Sequence, residues 1–126
     1  RGMSSAASDV YKRQEIDFVK ISSYVGKRSV GKINMTKGLD LEIRNRNVII
    51  IEDIIDSGRS INYLYDYISN LNPKDIAVIS LLAKKSISKL NFKIDFIGFE
   101  ISSEFVVGYG LDYDQKLRNL KSIYKL

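Results

Sequence analysis

The chain has no cysteine and no histidine among its 126 residues. The first absence excludes a disulfide framework, thiolate chemistry and cysteine metal sites. The second removes the common neutral-pH base and the commonest metal ligand. Acid–base work therefore falls to Asp, Glu, Lys or Tyr, and any metal is expected to be a hard cation held by oxygen. No apolar run approaches membrane-spanning length and nothing reads as a secretory signal, so a cytoplasmic protein without membrane contact is expected. Charge of one sign is not in large excess. The formal net charge of +5 falls to +3 when residues 1–14 are set aside, leaving 17 basic and 14 acidic residues. A balance this modest does not call for nucleic acid, and it suits a substrate carrying several phosphate charges.

What is present points to one α/β domain, large enough for a real core but small for an enzyme of that class. Residues 1–14 are rich in Ser and Ala, lack a sustained hydrophobic period, and are expected to be a non-native leader or a disordered tail. The domain is therefore placed at residues 15–126. Ile16–Ile21 is a strand candidate. Residues 22–38 are polar, contain Gly26 and Gly31, and read as a long loop with room for a ribbon; loops of that length in compact domains are functional or disordered. Val48–Ile51 is an uninterrupted run of β-formers, as a buried parallel strand requires. From Ser60 the period changes: Ile61, Leu64, Tyr65, Ile68 and Leu71 fall at helical spacing, and Asn70-Leu-Asn-Pro73 ends the helix. Ile76–Leu82 returns to a strand pattern and closes a β-α-β unit, expected to be parallel and right-handed. Short strands are expected at Asp95–Phe99 and Phe105–Val107, and a turn or short helix at Asp112–Leu120.

The chemistry concentrates in Val48-Ile-Ile-Ile-Glu-Asp-Ile-Ile-Asp-Ser-Gly-Arg-Ser-Ile61. Ligands of open α/β sheets sit at the carboxyl ends of the strands. Here that end delivers Glu52, Asp53 and Asp56, then a small-residue loop whose amides can point at an anion where a helix begins. Carboxylates for a sugar or metal beside amides for a phosphate are what a phosphorylated sugar needs. Taken singly, the acids could be solvated loop charges, Asp56 could simply cap the helix, and Asp-Ser-Gly is a common turn.

This segment resembles the phosphoribosyl-pyrophosphate (PRPP) motif of the type I phosphoribosyltransferases. Phe99-Glu-Ile-Ser-Ser-Glu-Phe-Val-Val-Gly-Tyr-Gly-Leu-Asp-Tyr113, followed by Arg118-Asn-Leu120, resembles the purine-binding region of their hypoxanthine-guanine branch. Ser22-Ser-Tyr24 resembles that branch's mobile active-site loop. The resemblance runs from about Glu15 to Leu126. It implies a mostly parallel sheet flanked by helices. It also implies purine salvage, with transfer of a 5-phosphoribosyl group from PRPP to hypoxanthine or guanine to give IMP or GMP and pyrophosphate.

Carried over residue by residue, the resemblance makes Glu52 and Asp53 the acids that hold the ribose hydroxyls and, through water, Mg²⁺. Asp56 becomes the general base toward the purine. Ser57, Gly58, Arg59 and Ser60 hold the 5′-phosphate, and Lys84 contacts the 6-oxygen of the purine. Such a contact favours 6-oxopurines over adenine, because a lysine donates to oxygen but cannot accept from an amino group. Phe105 and Val106 stack on the base and read its edge through the main chain. Asp112 lies near the base and a second metal, Arg118 contacts pyrophosphate, and Ser23 and Tyr24 cover it when the site closes. Without the resemblance, Lys84 is a surface lysine at a strand end and Phe-Val-Val is core strand.

One part of the pattern has no counterpart. The branch binds pyrophosphate with a Lys-Gly loop after a core strand upstream of the Ser-Ser-Tyr motif, whereas the Lys37-Gly38 pair lies downstream of it. A missing core strand is expected to expose apolar surface and an open sheet edge. Two competing expectations follow: a non-enzymatic PRPP-binding nucleic-acid regulator of the same fold, or an inactive truncated remnant. The resemblance also implies a homo-oligomer, dimer or tetramer, at full length.

Overall fold

A computed structural model of the chain describes residues 14–26, 29–87 and 90–126. Of the proposed leader, residues 1–13 lie outside the described residues. The chain divides into two compact units between Glu42 and Ile43.

In the first unit, β1 (Lys20–Gly26) and β2 (Ser29–Lys37) pair antiparallel, with Ile21 opposite Met35 and Ser23 opposite Ile33. The stretch expected as a loop is therefore largely a β-ribbon. Its signal is the alternation Ile33-Asn34-Met35-Thr36, in which Ile33 and Met35 are half-buried and Asn34 and Thr36 exposed. The strand expected at Ile16–Ile21 starts only at Lys20. Asp17 is the physical reason, because its carboxylate holds the chain out of the ladder. It accepts N–H bonds from Phe18 and Asp40 at 2.7 Å and from Leu41 at 3.0 Å, and it faces the Lys37 ammonium at 3.4 Å. Burial alone would raise its pKa. The three amides and Lys37 outweigh that and hold it below the ordinary carboxylate value. Stability from this group is present above pH ~4 and is lost as the pH falls through the lowered value. Asp17→Ala removes the acceptor of three amides, two of them exposed enough to turn to water, so it is expected to cost about 1 kcal/mol. Hydrogen exchange across Lys20–Lys37 checks this, and unchanged protection would show that the ribbon closes without Asp17.

In the second unit the Val/Ile run becomes β3 (Asn47–Ile55), longer than its apolar core because Glu52 and Asp53 remain in the strand. The helix α1 (Arg59–Ser69) returns the chain to β4 (Asp75–Lys84), which pairs with β3 in parallel from Asn47↔Asp75 to Ile55↔Ala83. On the other side of β4 lies β5 (Phe96–Ile101), also parallel, giving the order β3-β4-β5. Asp95 locks the start of β5, accepting the Val78 N–H at 2.7 Å while its own N–H reaches the Val78 carbonyl at 2.8 Å.

Register separates the two faces of this sheet. Ile50 pairs with Val78, Glu52 with Ser80 and Ile54 with Leu82, so all six share one face. Ile50, Val78, Ser80 and Leu82 are buried there, as are Ile61, Leu64 and Ile68 along one stripe of α1. The crossover lays that apolar stripe on this face, as helical spacing predicts. Buried Ser80 satisfies its hydroxyl on the Leu82 carbonyl at 2.6 Å. On the opposite face, Ile49, Ile51 and Phe96 are 52%, 75% and 62% exposed. Among the described residues β3 is an outer strand, so an open edge adjoins this apolar surface.

Beyond β5, β6 (Val106–Val107) pairs antiparallel with β7 (Tyr124–Lys125). The segment between them forms turns and two isolated bridges rather than a helix. Asp114, Gln115 and Leu117 have φ of 50°, 62° and 69°, which a right-handed helix cannot accommodate. Among the described residues no helix is long and apolar enough to cross a membrane.

Candidate active site

Where β3 ends, the chain turns over α1 through Asp56, Ser57 and Gly58. Gly58 sits at the helix N-cap with φ 82°, a left-handed conformation that costs glycine little. Its carbonyl accepts the first helical bond, from the Asn62 N–H at 3.0 Å. No side chain caps the helix. The capping role open to Asp56 is therefore not the one it has, because the cap position falls two residues later. The helix also starts one residue earlier than its period predicts, at Arg59.

Freed from capping, Asp56 places Oδ1 2.9 Å from the Nζ of Lys84. Lys84 is the last residue of β4, and parallel pairing of Ile55 with Ala83 brings that strand end beside the loop. The lysine side chain is only 11% exposed, while that of Asp56 is 68% exposed. A nearly buried ammonium is thus paired with a carboxylate that still faces solvent.

Glu52, Ile54, Ile55, Asp56, Ser57, Gly58, Ser60 and Ile61 line a pocket of about 110 Å³ at this strand end. The carboxylate that the site perturbs is Glu52. Burial, reinforced by the negative charge of Asp53, pushes its pKa up to about 7. Depth in the strand gives Glu52 the dry environment that disfavours its charged form. Asp53 does not line the pocket. Neighbouring residues of a strand face opposite sides; Asp53 is exposed and accepts the N–H of Ile54 at 2.7 Å. Arg59 is not among the lining residues either.

The remaining candidates fall elsewhere. Phe105 is 51% exposed and meets Tyr113 edge to face, with ring centroids 5.8 Å apart. Tyr113 was not singled out from the sequence, since nothing in a Leu-Asp-Tyr run shows which aromatic its ring will meet. Arg118 binds Asp112 at 2.9 Å, the Gly110 carbonyl at 2.8 Å and the Gln115 side-chain oxygen at 3.2 Å. Asp112 in turn accepts the Gln115 N–H at 2.8 Å. Asp112 and Arg118 are therefore brought together and brace one turn. Ser23 and Tyr24 lie on β1, and their side chains fall outside the described residues.

Among the described residues no three Asp or Glu side chains form a metal cage, so Glu52, Asp53 and Asp112 do not converge as one ligand set. The donor chemistry still fits a hard cation that takes one or two carboxylates and completes its shell with water and substrate phosphates. The charge of Asp53 disfavours a charged Glu52, and a cation held by these two acids would relieve that repulsion.

A phosphoribosyl transferase domain model matches residues 5–114. The hypoxanthine phosphoribosyltransferase of Buchnera aphidicola subsp. Schizaphis graminum is 45% identical over 113 residues, covering 89% of this chain and 64% of that protein. Its namesake from Escherichia coli is 41% identical over 125 residues, covering 98% of this chain and 70% of that protein. The chain thus spans about two thirds of the length of these relatives. A crystal structure of a hypoxanthine phosphoribosyltransferase from Staphylococcus aureus superposes with a TM-score of 0.81 at 35% identity, covering 100% of this chain and 71% of that one. With the strand-end acids, the Asp-Ser-Gly-Arg-Ser turn and the parallel sheet already in place, this chain belongs to the phosphoribosyltransferase family, in its hypoxanthine-guanine branch.

Proposed function

We propose that the chain carries the PRPP-binding and purine-binding machinery for transfer of a 5-phosphoribosyl group to hypoxanthine or guanine, giving IMP or GMP and pyrophosphate. The observation that carries the reading is the pocket at the end of β3, where Glu52, Asp56, Ser57, Gly58 and Ser60 converge beside Lys84. The amides and hydroxyls of Ser57–Ser60, at the start of α1, suit the 5′-phosphate. Glu52 and Asp53 hold the ribose hydroxyls. Glu52 and Asp53 would hold Mg²⁺ through water, and Asp112 a separate second ion near the base; bound there, the metal would supply neutralisation of charge on the pyrophosphate. Arg118 contributes at the pyrophosphate side.

Bond breaking at the anomeric carbon leaves positive charge on the sugar, and attack by the purine nitrogen frees a proton. Asp56 takes that proton. Lys84, already beside it, donates to the 6-oxygen, and Phe105 and Val106 present the stacking surface and the edge-reading main chain. A cytoplasmic location and a homo-oligomer at full length accompany this reading.

The test is a transfer assay with PRPP, Mg²⁺ and hypoxanthine, guanine or adenine, in a protein of the relatives' length carrying these residues. Pyrophosphate release with the two oxopurines and little with adenine is expected, and equal use of adenine would overturn the specificity. Lys84→Ala is expected to raise the purine KM by about 10- to 100-fold, the worth of a hydrogen bond from a charged donor. The PRPP KM should stay within about twofold. An unchanged purine KM would remove Lys84 from the base-binding site.

A further inference from the structure

Val106 sits on a strand of two residues, Val106–Val107, too short to hold its own geometry, and Phe105 immediately precedes it. Their neighbour across the ladder is the return segment, residues 120–126. The Leu126 N–H reaches the Phe105 carbonyl at 3.0 Å, and Val106 pairs with Lys125. In an antiparallel ladder that bond makes Val106 and Lys125 a non-hydrogen-bonded pair. The N–H and C=O of Val106 consequently face away from β7, toward the edge of β6 that carries no further strand among the described residues. Those of Phe105 and Val107 face β7. A slip of one residue would reverse this, tying up the Val106 groups and turning those of its neighbours outward.

Two features hold the register. Gly108 has φ 92°, and a Cβ there would lie 2.1 Å from the Ser122 carbonyl oxygen and 3.1 Å from the Cβ of Leu120. The return segment can approach only because that side chain is missing. At the other end, Glu104 and Lys125 form an ion pair. Both side chains are substantially exposed, so this pair contributes less than the close approach at Gly108. The Tyr109 N–H on the Leu120 carbonyl at 2.8 Å and the Gly110 N–H on the Arg118 carbonyl at 3.0 Å continue the attachment.

We infer that residues 120–126 are a positioning element for the base: their register against β6, fixed at Gly108 and at the Leu126–Phe105 bond, selects Val106 as the residue whose main-chain donor and acceptor meet the purine edge. The inference rests on the purine-binding reading of Phe105 and Val106 given above. It assigns a role in specificity to Gly108 and Leu126, neither of which needs to touch the base.

Binding of IMP and of ribose 5-phosphate to the same chain, measured by calorimetry, separates the base from the phosphate. Wild type should prefer IMP. Gly108→Ala, which closes the approach and strains the backbone, should erase that preference by about tenfold or more while ribose 5-phosphate affinity stays within about twofold. Leu126→Pro removes a single donor without altering Gly108, and should reduce the preference by about 2- to 10-fold. An IMP preference unchanged in both variants, but lost in Phe105→Ala, would overturn the inference and leave the purine reading intact. Equal affinity for the two ligands in wild type would remove the purine reading, and the inference with it.

Discussion

Replacing Asp56 with Asn is expected to lower turnover by about 10²- to 10⁴-fold, the usual worth of a positioned general base. PRPP affinity should stay within about threefold. The variant keeps the size of the side chain and a hydrogen-bonding oxygen for Lys84, so the loop after β3 retains its partner across the 2.9 Å contact. It removes the ability to accept a proton from the incoming purine. The helix start is untouched, because Gly58 rather than Asp56 holds the cap. Steady-state kinetics with PRPP and hypoxanthine, in a protein of the relatives' length, supply both numbers. If turnover and PRPP affinity fell by similar factors, Asp56 would be a binding residue and the base would have to be sought elsewhere.

The second large effect concerns Glu52 and pH. Its pKa is raised from 4.5 to about 7 by burial and by the charge on Asp53. A carboxyl with a raised pKa favours the folded state while protonated. Stability from this source is complete below pH ~4.5 and is lost as the pH rises through about 7. The shift corresponds to about 3 kcal/mol as a ceiling, reduced by solvent screening on the side open to the pocket. No histidine titrates in this window, because the chain has none.

Glu52→Gln is therefore expected to be more stable than wild type at pH 8 and to flatten the decline between pH 5 and 8. Thermal melts of the two proteins across that range check it. Parallel curves would show that Glu52 is more solvated than its position implies. The same substitution should weaken PRPP·Mg²⁺ binding, since it deletes a carboxylate proposed for the ribose and cation. A pocket-lining residue that costs stability when charged has the character of a functional site.

The local elements are the most legible part of this molecule. Val48–Ile51 reads as a parallel strand from its unbroken apolar run, and β3 contains that run; the burial on both faces that such a run suggests is not realised, since Ile49 and Ile51 are exposed. Ile61, Leu64 and Ile68 recur at helical spacing and are the buried stripe of α1. Residues 22–38 are harder, because glycines and polar residues dominate and the alternation that marks β2 is confined to a few positions. Of the turn or short helix expected at Asp112–Leu120 the turn is realised, for a reason no periodicity reveals: three non-glycine residues there adopt positive φ.

The order of the motifs, the chemical types at the strand end and the family follow from the sequence alone, since each is written in consecutive residues. Tertiary structure decided what no local pattern contains. Parallel register brought the end of β4 beside the loop after β3, so that Lys84 meets Asp56. Strand geometry sent Glu52 into the pocket and left Asp53 outside it. Antiparallel register between β6 and β7 turned the main chain of Val106 outward. For Lys84 and for Val106 the deciding quantity is the alignment of two paired segments, and a one-residue change in that alignment would exchange the side chains and main-chain groups presented to the site.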